Sequence, residues 1–83
     1  MLTVRFFARL REQLDCEWLQ LDLGADLKTV ADVHRVLSGR GEAWAAALAE
    51  DNLITALNQT VITENAALQD GDELAFFPPV TGG

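Results

Sequence analysis

Asp70-Gly71-Asp72-Glu73-Leu74-Ala75-Phe76-Phe77-Pro78-Pro79-Val80-Thr81-Gly82-Gly83 runs in succession through a turn, a strand, an abrupt stop and a thin tail. Asp-Gly favours a tight turn because glycine takes positive φ without steric cost. Residues 73–77 then read as an apolar strand, with Leu74 and Phe76 on one face and Phe77 on the other. Proline fixes φ near −65° and has no N–H to give a sheet, so Pro78-Pro79 ends the strand and holds the chain extended. Gly82-Gly83 lacks any Cβ and is the narrowest peptide that can present a carboxylate at the far end of a channel. These residues predict a strand that belongs to a core, followed by a tail that does not.

The same period-2 alternation opens the chain. Leu2, Val4, Phe6 and Ala8 alternate with Thr3, Arg5 and Phe7, which predicts a first strand with one buried face. Residues 8–14 are expected to form a short helical turn or loop. A second strand is expected over residues 17–23, with Leu19, Leu21 and Leu23 inward, forming an antiparallel hairpin with the first. Gly24 breaks this pattern, and Thr29 then stands as an N-cap with Asp32 three positions on. Val30, Val33 and Leu37 form a helical stripe that can lie across a sheet. An alanine-rich second helix is expected over residues 42–50, with Trp44, Ala47 and Leu48 on one face. Residues 53–58 and 60–63 complete the strands.

The predicted order is β-β-α-(α)-β-β-β. With the last strand returning beside the first in parallel, it is the β-grasp, or ubiquitin-like, arrangement. The fold class is therefore α+β: a mixed sheet of about five strands, with one main helix and a short second helix on one face. Residues 1–77 form the domain and residues 78–83 the extended tail. If the first and last strands are neighbours, Phe7 and Phe77 meet on the uncovered face beside the point where the tail leaves. Two phenylalanines converging there suit a protein interface.

Composition narrows the function. The chain has 83 residues, enough for one small core. No apolar run approaches the ~20 residues that span a bilayer, and residues 1–5 lack the basic start of a secretion signal. A single cysteine, Cys16, cannot make an intramolecular disulfide and suits a reducing, cytoplasmic setting. The net charge is −7, and residues 41–83 contain no Lys or Arg at all. That argues against a nucleic-acid partner, which requires basic surface, and favours a protein with a basic docking surface.

Few side chains offer chemistry of their own. His34 is the only histidine and has no second ligand at metal spacing, so no metal site is expected. Asp70, Asp72 and Glu73 lack the spacing of a calcium loop. Cys16 lies between Asp15 and Glu17 and is not read as a sulfur site. No phosphate loop or nucleophile–base pair is present, so the chain is expected to catalyse nothing alone and to bind no cofactor. The chemical group that remains is the carboxylate of Gly83. A carboxylate becomes an acyl donor once ATP adenylates it, and a sulfur nucleophile can then displace AMP to leave a thiocarboxylate.

Val4-Arg5-Phe6-Phe7-Ala8 with Arg11-Glu12, Ala56-Leu57-Asn58-Gln59-Thr60, and above all residues 70–83 resemble the sulfur-carrier small subunits of molybdopterin synthase over the whole length. The resemblance implies that a ubiquitin-activating-like adenylyltransferase consumes ATP to adenylate Gly83 and that a sulfur-donor system converts it to a thiocarboxylate. The tail (Pro78, Pro79, Val80, Thr81 and Gly82) would carry it into the large subunit, where sulfur passes to cyclic pyranopterin monophosphate. The working assembly in that family is a heterotetramer, and by motif position Phe7, Arg11, Val61 and Phe77 would contact the large subunit. Two other readings share the fold and the Gly-Gly end: a thiamine-pathway sulfur carrier, typically shorter and without Phe-Phe-Pro-Pro, and a ubiquitin-like protein modifier.

Overall fold

The computed structural model describes residues 1–78; residues 79–83, most of the expected tail, lie outside the described residues. Five strands and three helices follow in the order β1 (Leu2–Phe6), α1 (Arg9–Leu14), β2 (Trp18–Leu21), α2 (Val30–Ser38), α3 (Glu42–Leu48), β3 (Ile54–Leu57), β4 (Thr60–Ile62) and β5 (Glu73–Phe77). The sheet order is β2-β1-β5-β3-β4. The first strand is antiparallel to β2 and parallel to β5, so the β-grasp topology expected from the sequence is the one observed.

The strand alternation sorts the side chains onto two faces. Leu2, Val4 and Phe6 of β1 and Leu74 and Phe76 of β5 are fully buried beneath the helices, with Leu10, Leu14, Val33, Leu37, Ala47 and Leu48 closing over them. Phe6 is the hinge of this core. It stacks on Phe76 at 6.0 Å and meets Trp44 of α3 edge-on at 5.4 Å, a favoured aromatic geometry. The helix α3 packs against both α1 and α2. No side-chain N or O among the described residues is buried without a partner.

Three details depart from the sequence reading. A third helix, α1, stands where a short helical turn or loop is expected. Ala8, at φ 55°, swings the chain off β1, and Leu10 and Leu14, one turn apart, anchor the six-residue helix to the core. Asp15 ends it in the left-handed region. The hairpin is therefore not closed by a simple loop. The second strand stops at Leu21, because Gly24 and Leu27 form their own small bridge; Leu23 still packs on the core from outside the strand. The third detail is the β3–β4 turn. Its two central residues, Asn58 and Gln59, both have positive φ (49° and 69°) although neither is glycine.

The start of α2 follows the expected pattern. Thr29 accepts from the Asp32 N–H at 3.2 Å, while the Asp32 carboxylate accepts from the Thr29 N–H at 3.0 Å and the Lys28 N–H at 2.9 Å. This is a reciprocal capping box in which aspartate replaces the usual glutamate.

Candidate functional site: the open sheet face

With the helices on one side, the other face of the sheet is left uncovered, and the strand registers fix what stands on it. Trp18 lies opposite Arg5, Arg5 beside Ala75, Ala75 opposite Ala56, and Ala56 opposite Val61. One row of side chains thus crosses all five strands. Its two ends are raised and exposed, Trp18 at 54% and Val61 at 62%, whereas Ala75 and Ala56 in the middle are almost covered at 7% and 4%. The alanines make a floor because they carry only a methyl group.

The next row toward the end of β5 holds Phe7, Phe77 and Ile54. Phe7 and Phe77 stack with ring centroids 4.7 Å apart and planes only 9° from parallel. The row in the opposite direction is polar: Gln20 donates to Thr3 at 3.4 Å, and Glu73 follows beside Thr3. The face therefore becomes more apolar toward Pro78, where the chain leaves the sheet.

A shallow groove runs over the alanine floor, with Phe7 and Phe77 at one end and Val61 and Gln59 along one side. The Arg5 guanidinium, donating to Glu73 at 3.0 Å, closes the polar end. That ion pair is solvent-exposed on both sides, so its contribution to stability is small. It does tie the Arg5 side chain to Glu73 at that end of the groove.

Of the site residues expected from sequence, Phe7, Phe77 and Val61 line this one groove. Arg11 does not. It lies on α1 and its guanidinium reaches toward Glu17 at 3.8 Å. Pro78 is half-buried at the sheet's end, while Pro79, Val80, Thr81, Gly82 and Gly83 lie outside the described residues. Cys16 donates to the Trp18 carbonyl at 3.5 Å and packs partly against the core. His34 sits on α2 with its ring edge toward Phe76, 6.4 Å away. It lines a second apolar groove, between α2 and β3–β4, which also reaches Ile54 and Val61. Among the described residues no group of three or more His, Cys, Asp or Glu could hold a metal ion, and no helix is long and apolar enough to cross a membrane.

The alanine floor and Trp18 are functional candidates that sequence reading passes over. Alternation alone places Trp18 opposite in sense to Leu19 and Leu21, so that signal is present in β2. The alanines become visible only through the inter-strand register.

The model of the ThiS family matches residues 4–83, nearly the whole chain. The chain belongs to the ThiS family. Among curated relatives, the molybdopterin synthase sulfur carrier subunit of Haemophilus influenzae is 45% identical to this ThiS-family chain over 83 residues, covering all of both. Among solved structures, SAMP1 from Haloferax volcanii superposes with a TM-score of 0.82 at 30% identity, covering 99% of this chain and 98% of that one. A complex of subunits 1 and 2 of the molybdopterin-converting factor from Helicobacter pylori contains a chain with a TM-score of 0.71 at 26% identity, covering 99% and 97%.

Proposed function

We propose that this chain is the sulfur-carrier subunit of a molybdopterin synthase and that it works as a non-catalytic, sulfur-donating partner of a large subunit. The observation that carries this reading is the open face itself. Its apolar rows converge, through the stacked Phe7–Phe77 pair, on the point where the chain leaves β5 for Pro78-Pro79-Val80-Thr81-Gly82-Gly83. A face of this kind can seat the domain on a partner while the tail continues into it. Similarity over the full length to a relative named as such a carrier, and to a chain solved in complex with a second subunit, supports the assignment.

The chemistry then falls on Gly83. A ubiquitin-activating-like adenylyltransferase joins its carboxylate to AMP from ATP with loss of pyrophosphate. A sulfur-donor system displaces AMP and leaves a thiocarboxylate. In the large subunit the sulfur attacks cyclic pyranopterin monophosphate, and hydrolysis returns the carboxylate for another round. A dithiolene needs two sulfurs, so the carrier cycles twice per product. Phe7, Val61 and Phe77 pack on the large subunit, Arg11 makes a polar contact, and the assembly is a cytoplasmic heterotetramer. Cys16, engaged with a backbone carbonyl, plays no part in sulfur transfer.

The direct test is intact-mass spectrometry of the chain after incubation with the activating enzyme, ATP and a sulfur donor. The expected product carries one oxygen-to-sulfur exchange at Gly83. Absence of that species, with the enzyme active on a known carrier, refutes the reading. The likeness to SAMP1 favours a second reading as a protein modifier. Gly-Gly remnants on lysines of cellular proteins, dependent on this chain, would establish it.

A further inference from the structure

We infer that the surface meeting the large subunit extends across the whole open face to Trp18 on the outer strand β2, so that Trp18 is an anchor of the interface. The inference rests on the carrier reading above and goes beyond the residues that reading assigns.

Size is the first argument. A stable protein interface covers roughly 800 Å² on each partner. Five strands at about 4.8 Å spacing and five residues of rise give a sheet face of only roughly 300 Å² in plan. An interface centred on Phe7 and Phe77 gains area by spreading over the whole of that face rather than half of it. The other side of the sheet is occupied by α1, α2 and α3 and has no room for a partner.

Shape and chemistry are the second. Trp18 and Val61 end the same row of side chains, about 19 Å apart by strand spacing, with Arg5 next to Trp18 and the two alanines between Arg5 and Val61. Trp18, with the Arg5 side chain beside it, stands on one side of the low floor and Val61 on the other, so a ridge on a partner is gripped from two directions. Val61 alone would grip it from one. The two tryptophans of the chain are also used differently. Trp44 is held by Phe6 on its edge and by the Arg40 guanidinium 4.8 Å over its ring. Trp18 is more than half exposed, and among the described residues its indole has no aromatic partner and no side-chain hydrogen bond. A free indole on a flat face is the residue type most enriched among interface hot spots.

The experiment labels the full-length chain with 5-fluorotryptophan and follows both resonances by ¹⁹F NMR as unlabelled large subunit of molybdopterin synthase is added. Trp18→Phe assigns the signals. The Trp18 signal is expected to move and lose its H₂O/D₂O isotope shift in the complex, with the Trp44 signal unchanged. Trp18→Ala is expected to weaken the complex at least about tenfold, Trp18→Phe to restore part of that loss, and the melting temperature of both to stay near wild type. A complex in which Trp18 keeps its isotope shift overturns the inference and leaves the carrier reading standing. Failure of the wild-type chain to bind the large subunit at all refutes the carrier reading, and this inference with it. A concentration-dependent dimer of the free chain that Trp18→Ala abolishes would put a second copy on the face and overturn the proposed occupant.

Discussion

Asn58 holds Asp72 through its side-chain amide at 3.0 Å, and in doing so ties the β3–β4 turn to the start of β5. The same side chain accepts from the Glu73 N–H at 2.9 Å, and the Asn58 N–H donates to the Glu73 carbonyl at 2.8 Å. Asp72 completes the knot by accepting from the Gln69 N–H at 2.8 Å. Since Asn58 also adopts φ 49°, it supplies both the left-handed backbone and the bonds. Asn58→Ala loses both and is expected to cost about 2 kcal/mol in urea unfolding. Asn58→Gly keeps the backbone freedom and should lose less. Equal losses would show that the backbone conformation carries no part of the cost.

The capping box of α2 predicts a specific acid sensitivity. Hydrogen bonds from the Lys28 N–H, the Arg35 side chain and Thr29 lower the Asp32 pKa from 3.8 to about 2. The Asp72 carboxyl is lowered too, by the Asn58 amide first and the Gln69 N–H second. A carboxylate whose folded pKa lies below its unfolded value stabilises the fold above the unfolded pKa. That contribution is lost as pH falls through the folded value. The melting temperature of the wild type should therefore drop between about pH 4 and pH 2, and the drop should be shallower in Asp32→Asn. Thr29→Ala tests the other half of the box, with an expected cost of about 1 kcal/mol at neutral pH.

The stacked pair predicts a separation of binding from stability. Phe7 and Phe77 lie on the open face, outside the helix-covered core, so replacing either leaves that core intact. Phe77→Ala or Phe7→Ala should leave the fold intact by circular dichroism and weaken the large-subunit complex at least about tenfold. Aromatic pairs of this geometry are coupled by about 0.5–1.5 kcal/mol, so a double-mutant cycle on stability should return a value in that range. A zero coupling energy would mean the stack is a side-by-side accident of register.

How far the sequence reveals this face depends on which physical signal is asked for. Leu74 and Phe76 must face the core, so alternation alone turns Phe77 outward; the same rule applied to Leu2, Val4 and Phe6 turns Phe7 outward. Their meeting needs only the parallel β1–β5 pairing that the topology requires, and the structure has it. The row from Trp18 to Val61 depends instead on four separate registers, and no single strand encodes a register. The helix α1 is legible only as a short helical turn or loop, because six residues are too few for a 3.6-residue period to rise above chance. The Asn58-Gln59 turn escapes because its left-handed residues lack the glycine that normally announces one.

The alanine floor gives a prediction that no aromatic substitution can. Ala75 and Ala56 face each other across β5 and β3 on the open side, away from the helix-covered core. Ala75→Leu would raise the floor to the height of its walls while leaving the core untouched. Thermal stability should change by less than about 1 kcal/mol, because a leucine at this position can turn into the groove that Ala75 lines. Binding of the large subunit should fall more steeply than for any single charge change on the same face. Calorimetric titration of the variant at unchanged melting temperature is the measurement that decides it.

Gly83 supports the sharpest prediction, since the carrier reading places all of the covalent chemistry on one carboxylate. A variant extended by one residue beyond Gly83, or lacking Gly83, should melt at the wild-type temperature and still dock through Phe7 and Phe77. Neither should yield an oxygen-to-sulfur exchange product with the activating enzyme, ATP and sulfur donor. Cys16→Ser, by contrast, should form the thiocarboxylate at the wild-type rate. A product that persists without Gly83 but disappears with Cys16→Ser would move the sulfur to the thiol and overturn the assignment. Gly83→Ala probes the channel more gently: it keeps the carboxylate and adds one methyl group. If the partner's channel admits only glycine, this variant should bind normally and transfer sulfur at least about tenfold more slowly.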